Sequence, residues 1–290
     1  MSLRPTVYTT RGATLSTFCR QEQPTYEPSG NRHDHGTDID AAAPDDREHH
    51  PDRGGAEGAR RGGGDGAGDP SLAVENTVHD HLTTLRRHDY VTTDGDSYEV
   101  GLGFFEMGEY ARERRKIYAV ARSEVTDLAE ATGELPNLMV EEHGQGVYLY
   151  RARGAKAVTL DTHTGKRRSV HNTALGKAIL AHLPDDRVSE ILDRHGLPAA
   201  TPNTITDRDR DRLHETLAGI RERGVAYCGG ERVEGLRCVA APVPGGDDGV
   251  LGAISVAAPT TRLTGERFAT EVHELVLQAA NVVAINVTYR

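Results

Sequence analysis

The sequence predicts an α+β protein, with an antiparallel sheet flanked by helices in its C-terminal part and a helix followed by a hairpin ahead of it. Three observations carry this. β-prone runs come in pairs around turn residues: 137–142 and 147–151 around Gly144-Gln145-Gly146, and 237–243 and 250–257 around Gly245 to Gly249. Helical periodicity fills the intervals at 173–182, 185–195 and 206–223, and again from Gly265 to near the C-terminus. Residues 75–102 read as a short helix and then a hairpin, the second half of a winged helix-turn-helix.

Residues 1–70 show no helical or strand periodicity, and eight glycines lie between Pro51 and Pro70. Glycine costs roughly 1 kcal/mol at each helix-interior site, so the helices that should precede a recognition helix are not expected at 54–68. The segment is expected to be either a disordered tail or the product of a shifted reading frame, since Gly, Ala, Arg, Asp, Pro and His are what GC-rich codons yield out of frame.

From residue 71 the pattern changes. Asn76 is a good N-cap type, and Val78, Leu82 and Leu85 recur at helical spacing while Thr77, His79, Asp80, His81 and Thr84 point elsewhere. Tyr90-Val91, the turn pair Asp94-Gly95, and Tyr98 with Val100 then read as a hairpin, the wing. On this reading Asn76, Thr77, His79, Asp80 and His81 are the base-reading candidates, and Arg86 and Arg87 the phosphate contacts. Helix-plus-hairpin units are also common in proteins that never touch DNA. Between Ser71 and Gly103 the full cations Arg86 and Arg87 face six carboxylates. Duplex binding rests on neutralised phosphates, so local physics leaves DNA binding open and predicts that this polypeptide binds DNA poorly.

Residues 102–133 are helical in pattern. Leu102, Phe105, Met107 and Tyr110 lead into Arg112-Glu-Arg-Arg-Lys116, a solvated face in the ordinary case, and a second amphipathic helix closes at Gly133. The first is read as a linker helix. The chain then divides into 1–70, a partial winged helix-turn-helix at 71–103, the linker helix at 104–117 and an effector-binding domain at 118–290.

Composition narrows the function classes. The 290 residues carry a net charge of −10, with eight basic and twelve acidic residues in 1–70 and 26 and 32 in the remainder. An acidic, Lys-poor surface suits a halophile's protein kept soluble in concentrated salt, although ordinary acidic cytosolic proteins share it. No apolar run reaches the roughly 18 residues of a membrane span, and no signal-peptide core opens the chain, so a soluble cytoplasmic protein without membrane partners is expected. Cys19, Cys228 and Cys238 are too few and too oddly spaced for a disulfide framework or a zinc site. No metal, cofactor or catalytic residue is predicted.

Three segments together resemble the IclR family of transcriptional regulators: His171-Asn-Thr-Ala-Leu-Gly-Lys-Ala-Ile-Leu180, Glu234-Gly-Leu-Arg-Cys-Val-Ala-Ala-Pro-Val243 and Gly252-Ala-Ile-Ser-Val-Ala-Ala-Pro-Thr-Thr-Arg-Leu263. The resemblance runs from about Ser71 to Arg290. It implies a winged helix-turn-helix, a linker helix that pairs subunits into a homodimer or homotetramer, and a GAF- or profilin-like effector domain with a curved antiparallel sheet. The implied partners are operator DNA and a small organic or aromatic acid. Carried over by motif, the effector would meet Ala157, Leu160, Arg168, Ala174, Leu175, Leu236, Cys238, Ser255 and Ala257. Arg168 would lie at the rim, and the backbone N–H groups of Ala174 and Leu175 would lie near an anionic group. Relatives often carry Asp ten residues before Cys238, where this chain has Cys228.

Plainer readings stand beside these. Cys238 reads equally as a small buried hydrophobe, His171 as a group that caps or orients the next helix, and Gly229-Gly230 as a turn. Two rival functions remain: a stand-alone small-molecule sensor that has lost DNA binding, and a thiol hydrolase using Cys238 with His171, which lacks an oxyanion motif and a third orienting residue.

Overall fold

The computed structural model describes residues 8–10, 13–15, 70–95, 97–246 and 249–289, in two units, Met1–Phe104 and Phe105–Arg290. In the first unit, α1 (Pro70–Arg87) starts six residues before Asn76. Asn76 is therefore inside the helix and not its cap. Proline suits a first helical turn, because its fixed φ matches the helix and its missing N–H would have no partner there. Val78, Leu82 and Leu85 turn inward, Leu82 being buried, while Thr77, His79, Asp80, His81, Arg86 and Arg87 are exposed. Asp89, at a left-handed φ of 60°, ends the helix, and the Tyr90 N–H returns to Leu85 O at 2.9 Å.

The hairpin follows, β3 (Val91–Asp94) antiparallel to β4 (Ser97–Val100), with Gly95 at φ 57° in the turn. Two short strands not expected from the sequence, β1 (Tyr8–Thr10) and β2 (Ala13–Leu15), join it, β2 running parallel to β4. Their Tyr and Thr residues suit strands, but at three residues each they are too short for periodicity to show. The expectation of a tail or a shifted frame otherwise falls on residues outside those described.

α2 (Gly103–Glu113) ends short of the predicted 117, and none of its residues is buried. Leu102, Phe105, Met107 and Tyr110 are all more than half exposed. α3 (Lys116–Thr132) ends where the sequence places it, at Gly133, whose φ of 72° lets its N–H reach Ala129 O.

The second unit is built on one curled antiparallel sheet in the order β7-β6-β5-β10-β9-β8. Its strands are β5 (Leu135–Glu142), β6 (Gln145–Arg151), β7 (Arg167–Ser169), β8 (Ala226–Gly229), β9 (Leu236–Pro244) and β10 (Val250–Pro259). The β5–β6 turn is His143-Gly144, both at positive φ, so Gln145 and Gly146 belong to the strand and not to the predicted turn. A two-residue hairpin of this hand needs positive φ at both central positions. Edge strand β7 was not predicted, its Arg-Arg-Ser carrying no apolar alternation.

Side chains two apart share a face, and each face has its own core. On one face Leu138, Val140, Val239, Ala241, Ile254 and Val256 pack against α3 and against α7 (Val272–Thr288), which follows a π-helical turn at Arg267–Glu271. On the other, Met139, Tyr148, Ala226, Ala240 and Ala253 meet α4 (Ala174–Leu180), α5 (Asp185–His195) and α6 (Arg210–Arg223). Among the described residues no helix is long and apolar enough to cross a membrane.

Candidate functional site

The second face of the sheet is incompletely covered. Where α4 begins, a cavity with about 460 Å³ of empty space, partly open to solvent, lies between the strands and the segments before α4 and β9. β5 supplies Asn137, β6 Tyr148 and Arg151, β8 Cys228, β9 Leu236 and Cys238, and β10 Ser255 and Ala257. Leu160, Thr162, Asn172 and Thr173 close it from the loops, with Arg232 and Val233 opposite and Ala174 and Leu175 at the first turn of α4.

Seven of the nine residues singled out from sequence thus line one cavity: Leu160, Ala174, Leu175, Leu236, Cys238, Ser255 and Ala257. Ala157 and Arg168 do not. Ala157 sits in a turn whose neighbours are tied to the end of α3, Gly154 N–H to Glu134 O and Lys156 N–H to Gly133 O, both at 2.7 Å. The Arg168 guanidinium is held by Asp161, through the carboxylate at 2.7 Å and the backbone oxygen at 2.8 Å.

The cations that line the cavity are instead Arg151 and Arg232, neither of them anticipated. Arg151 Nε donates to Asn137 Oδ1 at 2.9 Å, and Arg232 donates to Asp161 Oδ1 at 2.9 Å. Strand alternation could not reveal Arg151, because the β5–β6 register shifts between Leu138 and Met139, with Tyr148 opposite Met139 and Tyr150 opposite Leu138. That bulge brings Tyr148 and Arg151, three apart, onto the same face. For Arg232 the only signal was its place just after the Gly229-Gly230 turn.

The polar groups of the wall are unequally satisfied. Thr173 caps α4, its Oγ1 accepting from Gly176 N–H at 3.0 Å. His171, expected to cap or orient that helix, has its Nε2 3.2 Å from Pro198 O. By contrast, Thr162 Oγ1 and Asn172 Oδ1 are buried with no hydrogen-bond partner. A buried polar atom left unpaired costs about 1–3 kcal/mol, so both favour an occupant with polar groups.

Beside the wall, buried Lys177 pairs with Glu231 at 2.5 Å. Burial pushes the thiols of Cys228 and Cys238 and the Tyr148 phenol up, and burial lowers Arg151. His171 lines a separate groove with His195, whereas Cys238 lines this cavity.

Asp161 sets the arginines. Burial opposes its charge, but the hydrogen bond from Arg232 and the charges of Arg168 and Arg232 hold its carboxyl below the ordinary value. A depressed carboxyl stabilises the folded state above its unfolded pKa of about 3.9, and that contribution is lost as pH falls through the lower folded value. The expected result is a fall in thermal midpoint from pH 5 to pH 3 that is smaller for Asp161→Asn than for wild type. Parallel melting curves across that range check it; identical falls would remove Asp161 from the account.

The family model described as "Bacterial transcriptional regulator IclR C-terminal" matches residues 110–285. The HTH-type transcriptional regulator ArcR of Halobacterium salinarum is 37% identical over 72% of this chain and 80% of its own length. The chain belongs to the IclR family of transcriptional regulators. The C-terminal effector domain of that family is matched within the second unit, and the cavity lies in this domain. The Thermotoga maritima IclR crystal structure has the same architecture, with a TM-score of 0.63 and 26% identity over 74% of this chain and 86% of that one.

The chain is also similar to the inducer-binding domain of a double mutant of the PobR transcription factor from Acinetobacter, in complex with 3-hydroxybenzoic acid. Its TM-score is 0.52, with 25% identity over 57% of this chain and 96% of that one. The acidic, Lys-poor composition read from the sequence accords with a halophilic relative of this regulator.

Proposed function

We propose that this regulator binds a small organic or aromatic acid in the cavity and that the acid alters operator binding by α1 and its wing. The observation that carries the reading is the cavity's chemistry. Leu160, Leu175, Leu236 and Ala257 offer burial to an apolar body, Arg151 and Arg232 offer charge to a carboxylate, and Asn172 Oδ1 and Thr162 Oγ1 await polar partners. Such a wall suits a hydroxylated carboxylate, which gains burial while keeping charge-assisted hydrogen bonds. The hydroxybenzoate held by the PobR domain is of this class.

The DNA-facing role rests on α1. Thr77, His79, Asp80 and His81 are exposed near its middle, and Arg86 and Arg87 in its last turn, while Asn76 precedes them in the same helix. These mid-helix residues read bases and the arginines hold phosphates in this reading. The exposed apolar side chains of α2 supply the surface for pairing subunits into a homodimer or homotetramer, with 71–103, 104–117 and 118–290 as DNA-binding, linking and effector segments. An acid can shift the dimer arrangement only by its differential affinity for the two states.

The test is to select sequences from a random DNA pool with the full chain and repeat the binding with a panel of hydroxybenzoates and short organic acids. Acid binding in calorimetry together with a change of about 5-fold or more in DNA affinity supports the proposal. Acid binding without sequence-selective DNA binding identifies a stand-alone sensor. In a chain given a helix pair ahead of α1, Thr77→Ala and His79→Ala are expected to change the selected sequence, whereas Arg87→Ala weakens all sequences alike and lowers the salt dependence by about one phosphate's worth. Equal, sequence-independent losses from all three would overturn the assignment of base-reading and phosphate roles.

A further inference from the structure

The cavity wall holds a thiol pair whose reactivity an acid effector does not call on. Cys228 of β8 and Cys238 of β9 are direct cross-strand partners. Both are free, and both line the cavity. We propose that they form a dithiol site that captures a neutral trivalent arsenical, arsenous acid or an organoarsenical of the same valence, by bridging β8 to β9. This does not depend on the cavity's taking an acid.

The register decides between one bridging atom and none. Gly230 N–H donates to Leu236 O at 2.8 Å, and this pair lies two positions along the same ladder from Cys228 and Cys238. Hydrogen-bonded and non-hydrogen-bonded pairs alternate, so the cysteines occupy a hydrogen-bonded position, where Cα atoms are about 5.5 Å apart and Cβ atoms lie at the wide end of the range of about 4.5–5.5 Å. A direct disulfide needs Cβ atoms about 3.8 Å apart. An arsenic atom between the sulfurs takes up that excess.

Protonation matches as well. Burial keeps both thiols protonated, which slows oxidation by routes that need a thiolate and disfavours capture of a cation that must displace two protons. Arsenous acid is itself neutral at physiological pH. Two As–O bonds break and two As–S bonds form, each departing hydroxyl leaves as water with a thiol proton, and arsenic stays trivalent. No charge is created inside the cavity. One hydroxyl remains on arsenic, and Asn172, only 6% exposed, offers an unpartnered Oδ1 as its acceptor. Cys228 already touches this residue, its Sγ lying 3.6 Å from Asn172 O. Leu175, Leu236 and Ala257 give the wall an apolar surface against which an organic substituent would rest.

The experiment titrates the full chain with arsenite and, separately, with phenylarsine oxide, which loses its oxygen as one water on binding two thiols. Intact mass and a tryptic map read the product. The expected result is one arsenic per chain joining peptide 224–232 to peptide 238–262, reversed by a dithiol and resistant to a monothiol. Cys228→Ser, Cys228→Ala and Cys238→Ser should each weaken capture about 100-fold or more, because the second As–S bond is then lost. Cys19→Ser should change nothing. Arsenic found on Cys19, capture undiminished by the single variants, or no bridged peptides from wild type would overturn the proposal. So would joining of the two peptides directly through sulfur by a mild oxidant, with no arsenical capture. Because the peptide map is made on wild type, a variant that fails to fold does not obscure the outcome, and acid binding in calorimetry is scored separately.

Discussion

Cys238→Leu is expected to reduce affinity for a hydroxybenzoate-type acid by roughly 30-fold while the effector domain still folds. Cys238 lies on β9 between the cavity-lining Leu236 and the buried Ala240 of the same face, with Ser255 and Ala257 on the neighbouring strand. Leucine adds about two carbons' volume into space an acid would occupy. An overpacking clash of about 2 kcal/mol corresponds to roughly 30-fold in the dissociation constant. The fold should survive because residue 238 faces the partly open cavity and not the close-packed core on the other side of the sheet. Cys238→Ala, which enlarges the cavity, should retain most of the affinity. Calorimetric titration of the three proteins, with thermal midpoints beside them, checks this; an acid bound equally by wild type and Cys238→Leu places the site elsewhere.

Gly176→Ala is expected to destabilise the effector domain by about 3 kcal/mol or more, lowering its thermal midpoint by roughly 6–12 °C. A Cβ at Gly176 would stand 2.1 Å from Val170 O and 2.4 Å from Val170 Cα. Both are backbone atoms, so no side-chain rotation relieves the clash. The start of α4 would have to move away from the strand-to-helix segment that carries Asn172 and Thr173, and Thr173 would lose its 3.0 Å cap to Gly176 N–H. Acid affinity should fall along with stability, because the same segment forms one wall of the cavity. Gly165→Ala is the control: Gly165 has φ 83° with no atom within 4 Å of its Cβ position, so it carries only the backbone penalty of a left-handed residue. Chemical denaturation of the two variants separates a steric from a conformational cost; equal losses would show that the close approach at Gly176 is relieved.

Much of the architecture was legible along the chain. Val78, Leu82 and Leu85 marked the inward face of α1, the Gly133 stop closed α3, the β-prone runs 237–243 and 250–257 located β9 and β10, and the family motifs pointed to Leu236, Cys238, Ser255 and Ala257. These are local properties. A helix repeats every 3.6 residues and a strand every two, and both periods are written in neighbouring residues. Composition likewise established the acidic, Lys-poor character, and three motifs in order identified the family.

What the tertiary structure decided are the properties that depend on register and on partners distant in sequence. The β-bulge opposite Leu138 and Met139 aims Arg151 into the cavity, and no reading of β6 alone reveals an extra residue whose only sign is its pairing with β5. Arg168 and Arg232 look alike as arginines. Asp161 engages both, yet only Arg232 lines the cavity, because β7 lies at the sheet edge while the turn before β9 folds over the concave face. Cys228 and Cys238, ten residues apart, become neighbours only through the β8–β9 ladder. Local periodicity thus specifies which elements form and which way each faces, whereas the cavity's charge and its thiol pair arise from hydrogen-bonded register between strands, a long-range quantity that no short window of sequence contains.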